Sequence, residues 1–347
     1  MRTEAGLQGT RRAFSSSKIL ALIAQHSVLC AVLGALLFAR CGFAAAQESK
    51  VYRIGVIHQG GPYRAVVDGF RAGLRELGLE DGKKISLQIR ETANDPKIVD
   101  EAAKAFERDK VSLIYAVTTS AAVPVKNATS QTPIVFAVGT DPVLSGLVQS
   151  FAKPGGRLTG VQYSTTDLTA KRLELLKEIL PKVHRVLILY NPNNRSSREA
   201  AELARKAARQ LRIQLIDRQA ASVEELRQQL QTIKTKETDA YFYISDAMVN
   251  SRADLVIDMA RAKKLPTMFS EQGVVAIGGL ASYGQNFHEV GRLSAGYVQK
   301  IIGGAQPRDL KIEVVDKLEL VVNLATAKQI GLTIPPDVLA RADRVIK

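Results

Sequence analysis

The chain has 347 residues, 48 of them basic and 34 acidic, for a net charge of +14. The basic residues alternate with acidic ones along helix faces, as in Arg198, Glu199, Glu202, Arg205, Lys206 and Arg209, which describes a solvated basic surface and not a nucleic-acid footprint. Tryptophan is absent, so there is no Trp-lined sugar platform, and the two cysteines, Cys30 and Cys41, both lie near the N-terminus.

The first 46 residues read as a signal peptide. Arg11, Arg12 and Lys18 form a basic region, Val28–Ala39 is apolar, and Ala44, Ala45 and Ala46 supply small residues for cleavage after Ala46. A rival reading, a retained anchor over Ile19–Ala39, is opposed by Gln25, His26 and Ser27 within the span and by Arg40 directly after it. Arg40 also stands where a lipid-modified Cys41 would need a small neighbour. Cleavage removes five basic residues and one acidic residue, leaving +10 and an exported, soluble chain without cysteine. Such a chain has no disulfide, thiolate metal site or cysteine nucleophile, and its size suits two domains.

From Tyr52 onward, strands alternate with amphipathic helices. Arg53–Ile57 is a strand, and Val67, Phe70, Leu74 and Leu77 share a helix face that ends near Gly78. Ile85–Ile89, Val111–Val117, Ile134–Val138 and Leu158–Val161 follow as strands. Thr118-Thr119-Ser120 opens one helix, and Asp141-Pro142 predicts the start of another, ending before Lys153-Pro154-Gly155-Gly156. After Gln162–Asp167 the pattern restarts: strands at Arg185–Leu189, Ile213–Ile216, Ala240–Ile244, Pro266–Phe269 and Gly278–Ser282 alternate with helices. The tail holds a helix at Val290–Ile302, a strand at Leu318–Val322, a short helix after Asn323, and a last helical segment at Asp337–Ile346. This is the pattern of two doubly wound α/β lobes. The tail is too short for a third domain and completes the two lobes, so the chain crosses between them more than once.

In such sheets ligands bind beyond the carboxyl ends of the strands. Thr119, Ser120 and Ala121, just after Thr118, would form an anion seat of hydroxyls and N–H groups, or an ordinary helix cap. Thr140 and Asp141 would form one cleft wall, with Asp141 either pairing a ligand ammonium or capping its helix. Asp246 follows a second-lobe strand end with no proline after it, which marks it as the better cation partner and the ligand as a zwitterion. Asn191 lies at another strand end, and Tyr63 and Tyr283 are placed to stack on a ring. In the first loop, His58 reads as structural, while Gly60 and Gly61 suggest a close backbone approach. No G-x-G-x-x-G follows the first strand, there is no P-loop or G-x-S-x-G elbow, and the histidines are scattered.

Four segments carry a family resemblance: GTDPVLSGLVQSFAKPGGRLTGV, DLTAKRLELLKEILP, GGLASYG and LELVVNLATAKQIGLTIPPDVLARADRVI. In order along Tyr52–Ile346, they resemble the ABC transporter substrate-binding family that includes tryptophan- and tyrosine-binding members. The resemblance implies the type I periplasmic binding fold, two Rossmann-like lobes joined by a multi-strand hinge, with crossings near Gln162–Thr166, Ser282–Gln285 and Leu320–Leu324. The N-terminal lobe would comprise 47–163 and about 285–320, and the C-terminal lobe 164–284 and about 321–347. Many relatives carry an acidic residue before the paired glycines, where this chain has Ala276 and Ile277, so contacts from Val274–Gly279 do not carry over.

The expected function is a periplasmic, monomeric solute-binding protein. It would close on a small ligand, an amino acid or related carboxylate, and present it to an ABC permease. No catalysis, cofactor, metal or nucleic-acid partner is expected. Two alternatives stay open: a periplasmic sensor for a membrane receptor, and an exported Rossmann-type enzyme.

Overall fold

The computed structural model describes residues 51–234 and 236–347. The expected signal peptide therefore lies outside the described residues. From Tyr52 the chain runs β1 (Tyr52–His58), α1 (Arg64–Glu76), β2 (Ile85–Glu91), α2 (Pro96–Arg108), β3 (Leu113–Val117), α3 (Thr119–Ala128), β4 (Ile134–Val138) and β5 (Leu158–Tyr163). It continues through α4 (Thr169–Ile179), β6 (Arg185–Tyr190), α5 (Arg195–Leu211), β7 (Gln214–Gln219), α6 (Val223–Thr232), β8 (Ala240–Phe242), α7 (Ala247–Ser251), α8 (Ala253–Ala262), β9 (Thr267–Phe269), α9 (Gln272–Ala276) and β10 (Ala281–Gln285). The tail adds α10 (Phe287–Ile302), β11 (Glu313–Val315), β12 (Leu318–Asn323), α11 (Leu324–Ile330), α12 (Pro336–Arg341) and β13 (Arg344–Ile346).

These strands form two sheets, ordered β11-β5-β4-β3-β1-β2 and β13-β12-β10-β9-β8-β6-β7. All pairs in the first sheet are parallel; in the second only β10–β12 is antiparallel. Every residue of β3, β4 and β5 is buried, as expected of apolar strands covered by helices on both faces. Helix α1 turns Val66, Val67, Phe70 and Leu74 inward, and α2 turns Val99, Ala102, Ala103 and Phe106. This is the two-lobed α/β architecture read from the sequence.

The chain crosses between sheets three times. The first crossing lies between β5 and α4, and the second between β10 and α10, which returns to the first lobe's core through Phe287, Val290 and Val298. The third differs from the expectation. Gln285 already pairs with Leu318, so β12 lies wholly in the second sheet and the crossing falls at Asp316–Lys317 instead of Leu320–Leu324.

One predicted helix is absent and another is cut short. Asp141 does accept from the Val143 and Leu144 N–H groups, but only about one turn forms before Gly146 adopts a left-handed φ of 68° and Leu147 bonds back to the Pro142 carbonyl. At the C-terminus the helix stops at Arg341, and 344–346 instead form β13, parallel to β12 with Val322 opposite Val345. A free sheet edge outcompetes a short helix with few buried positions.

Helices α1 and α10 meet through glycine. A Cβ on Gly291 would stand 1.8 Å from the Val66 carbonyl oxygen, and one on Gly69 1.8 Å from that of His288. Both obstacles are backbone, so neither can swing aside. Gly291→Ala is therefore expected to destabilise the protein by about 2–3 kcal/mol or more, as overpacking does. Urea unfolding checks this, and an unchanged midpoint would show that the helices tolerate separation.

Candidate functional site

The carboxyl ends of the strands in the two sheets border a cavity of about 450 Å³, within the range of small-molecule sites. The first lobe contributes Tyr63, the Thr118–Ser120 turn, Thr140, Ser145 and Tyr163. The second contributes Asn191, the Asn193–Ser196 turn, Tyr243, Ser245 and Ser270, while Thr165 and Phe287 come from beside the crossings.

Hydroxyl groups form an arc on the first-lobe wall. Thr119 Oγ1 is 2.8 Å from Thr140 Oγ1, which is 3.0 Å from Ser145 Oγ. Thr118 Oγ1 lies 3.0 Å from Ser120 Oγ and also caps α3 by accepting from the Ala121 N–H. The backbone of Thr118 sits at φ 85°, an unusual place for a β-branched residue. Its surroundings hold it there: Gln59 Nε2 donates to Thr118 Oγ1 at 3.3 Å, and Thr92 Oγ1 donates to Gln59 Oε1 at 2.7 Å. The strain turns the α3 start toward the cavity.

Aromatic rings form another part of the wall. Tyr63 stacks on Phe287 with centroids 5.5 Å apart, and Tyr163 meets the same ring edge-on at 5.3 Å. Burial raises the pKa of Tyr63, Tyr163 and Tyr243, so all three remain neutral donors at physiological pH.

The lobes touch beside the cavity. Thr165 Oγ1 lies 2.8 Å from Ser245 Oγ, and a Cβ on Gly61 (φ 54°) would stand 2.5 Å from the Ser251 carbonyl oxygen of the second lobe. The close approach suggested by the first loop's glycines is thus to the other lobe at Gly61, while Gly60 faces Glu91 of its own lobe. His58 is buried, its pKa lowered chiefly by burial, with Nδ1 accepting from the Gly60 N–H.

The structure brings together Tyr63, Thr119, Ser120, Thr140 and Asn191 of the residues singled out from the sequence. It does not bring the other four to the wall. Ala121 is fully buried one position further into α3. Tyr283 packs against the second lobe's core. Asp141 is absent from the wall, with Oδ1 engaged by its turn.

Asp246 corrects the reading that it has no capping duty. Its Oδ1 accepts from the Val249 N–H at 2.9 Å, capping α7, while Oδ2 accepts from the Asn191 N–H at 3.1 Å and from Ser197 Oγ. It is 1% exposed, and burial raises its pKa. The carboxylate ties two strand-end turns together and is withdrawn from the cavity.

Sequence reasoning did not single out Tyr163, Tyr243, Ser145, Thr165 or Phe287. Tyr163 and Tyr243 carried a usable signal, since each is an aromatic at or near a strand's carboxyl end. Ser145 carried none, because a helix was expected there. Among the described residues no cluster of three His, Cys, Asp or Glu could hold a metal, and no helix is long and apolar enough to cross a membrane.

Two doubly wound lobes, three crossings and a polar-aromatic cavity between them define a two-lobed ligand-binding protein. Residues 53–346 match the ABC transporter substrate binding protein family, and the chain belongs to it. It is 29% identical over 265 residues to the tyrosine-binding protein of Clostridioides difficile strain R20291, covering 76% of each chain. Among solved structures, it resembles an ABC domain of Streptococcus pneumoniae in complex with L-Trp at 26% identity and a TM-score of 0.77, covering 86% of this chain and 100% of that one. It also resembles a ligand-free, open substrate-binding protein with adhesive properties from Clostridium difficile at 26% identity, with a TM-score of 0.59 and coverage of 85% and 99%.

Two predictions follow from the buried acids. Asp246→Ala leaves the Asn191 and Val249 N–H groups without their acceptor and is expected to cost about 2–4 kcal/mol in urea unfolding; a loss under about 0.5 kcal/mol would mean that water replaces the carboxylate. Glu271 is 1% exposed and caps α9 through Gly273 and Val274, and burial pushes its pKa up to about 7. A carboxyl that holds its proton more tightly folded than unfolded stabilises the fold at low pH, and that contribution is lost as pH rises through about 7. The unfolding midpoint of wild type should therefore fall relative to Glu271→Gln between pH 5 and pH 8; parallel curves would remove Glu271 as the cause.

Proposed function

We propose that this protein is the periplasmic solute-binding component of an ABC import system. It acts as a monomer, captures a small ligand, an amino acid or related carboxylate, between its lobes, and presents the closed form to a permease in the inner membrane. No bond is made or broken, and no cofactor, metal or nucleic acid takes part.

The observation that carries this reading is the divided wall. Thr119 and Thr140 belong to one lobe and Asn191 and Ser245 to the other, so a ligand touches its full set of partners only when the cleft is shut. Differential affinity for the shut form then drives closure. The higher TM-score to the L-Trp complex than to the ligand-free open protein supports a lobe arrangement of the shut kind. The hydroxyl arc and the N–H groups at the α3 start suit a carboxylate, and the tyrosine binding named for the C. difficile relative supports a carboxylate-bearing ligand. The expected leader supports export.

Mass spectrometry of small molecules released from gently purified, then denatured, protein tests the proposal, with a carboxylate expected. Adding that compound to stripped protein should reduce the radius of gyration in solution scattering. Thr119→Val combined with Ser120→Ala should weaken its binding more than tenfold by calorimetry, a loss above about 1.4 kcal/mol. Unchanged affinity would remove the hydroxyl arc from the site.

A further inference from the structure

Three acidic residues stand next in sequence to cavity residues: Asp141 beside Thr140, Asp246 beside Ser245, and Glu271 beside Ser270. None of the three lines the cavity. Each is drawn off by backbone donors: Asp141 by Val143 and Leu144, Asp246 by Val249 and Asn191, and Glu271 by Gly273 and Val274. Their negative charge is engaged in holding turns and helix starts.

Two cations stand at or behind the wall. Arg195 is the one formally charged residue of the wall, exposed and paired with Glu199. Arg172 on α4 is fully buried, with no carboxylate in salt-bridge reach among the described residues. Its Nη2 donates to the carbonyl of Thr165, a wall residue, at 2.8 Å, and reaches Thr169 Oγ1 at 3.4 Å. Its Nε and Nη1 have no partner. A guanidinium without a carboxylate partner thus stands behind the Thr165 part of the wall, where low polarizability lets its charge act at longer range than in water.

From this asymmetry we infer that the cleft takes a carboxylate attached to a planar ring and provides no charged partner for an ammonium, so that its ligand is an aryl or arylalkyl carboxylate and not a zwitterionic amino acid. The inference rests on the proposed solute-binding role and narrows its ligand. The ring lies among Tyr63, Tyr163 and Phe287, and the carboxylate meets the hydroxyls of Thr119, Ser120 and Thr140. An ammonium brought into the same space loses its water without gaining a counter-charge. Arg172 is a positioning residue: it fixes Thr165 and biases the cavity toward anions.

The test is calorimetry of the purified protein with compounds that share a ring and differ in charge: indole-3-acetate, indole-3-acetamide, tryptamine and L-tryptophan, with phenylacetate and L-phenylalanine as a second ring series. The carboxylates should bind at least tenfold tighter than the amino acids of the same ring, and tryptamine should bind weakest. Arg172→Met should reduce the preference for indole-3-acetate over its neutral amide at least fivefold, and Arg172→Lys should restore part of it. A merely structural role for Arg172 would weaken both ligands alike. If Arg172→Met does not fold, Thr140→Asp takes its place, and its added carboxylate should shift preference toward L-tryptophan. Tighter binding of the amino acids than of the ring acids by wild type overturns the inference and leaves the solute-binding reading standing. Binding of neither class, with a non-carboxylate released from the purified protein, overturns the inference together with the ligand class proposed above.

Discussion

A strand covered by helices on both faces has few places for a polar side chain until it ends. This constraint organises the molecule. β3, β4 and β5 are buried along their whole length, so the first lobe's hydroxyl chemistry gathers where β3 and β4 give way to their loops, at Thr118–Ser120 and Thr140. The second lobe does the same at Asn191 and Ser245, after β6 and β8. Because the crossings set the two groups of strand ends opposite each other, the cavity follows from sheet burial and topology. It requires no dedicated binding motif.

The same constraint explains which parts were legible in the sequence. Apolar runs such as Ile134–Val138, bounded by proline and glycine, announce buried strands, and the strand-end hydroxyls stand out because they break those runs. β11 has three residues with only Val315 buried, so no period betrays it. The stretch after Pro142 has a cap at its start but forms about one turn, because Gly146 takes the left-handed region that ends helices. The 344–346 strand was illegible for another reason: its partner is twenty-odd residues upstream, and pairing with β12 is a tertiary outcome that local preference does not report.

Acidic residues posed the harder problem. Asp246 looked the better cation partner and Asp141 an open choice between ligand and cap, yet both carboxylates answer to backbone N–H groups within three residues. Asp246 also reaches across to Asn191 and Ser197, which lie some fifty residues away along the chain. A carboxylate at a strand end meets two kinds of positive group, helix-start amides and whatever enters the cleft. The amides are always present, and their bonds cost no extra ordering. Capping takes precedence unless the turn is already satisfied by another group. The polar arc that remains is therefore made of hydroxyls and amides, some of which, like Thr118, also cap helix starts.

The first lobe is not finished when its first 113 described residues have been made. Its sixth strand, β11, and the helix whose Gly291 face seals α1 both lie beyond β6–β10 of the second lobe. A nascent chain that has reached β10 still lacks the cover over Phe70 and Tyr115, and Tyr115 still lacks Ser294, the hydroxyl it bonds at 3.0 Å. Neither half can reach its native state during synthesis. The tail thus serves both lobes, β11 closing one sheet and β12 and β13 the other.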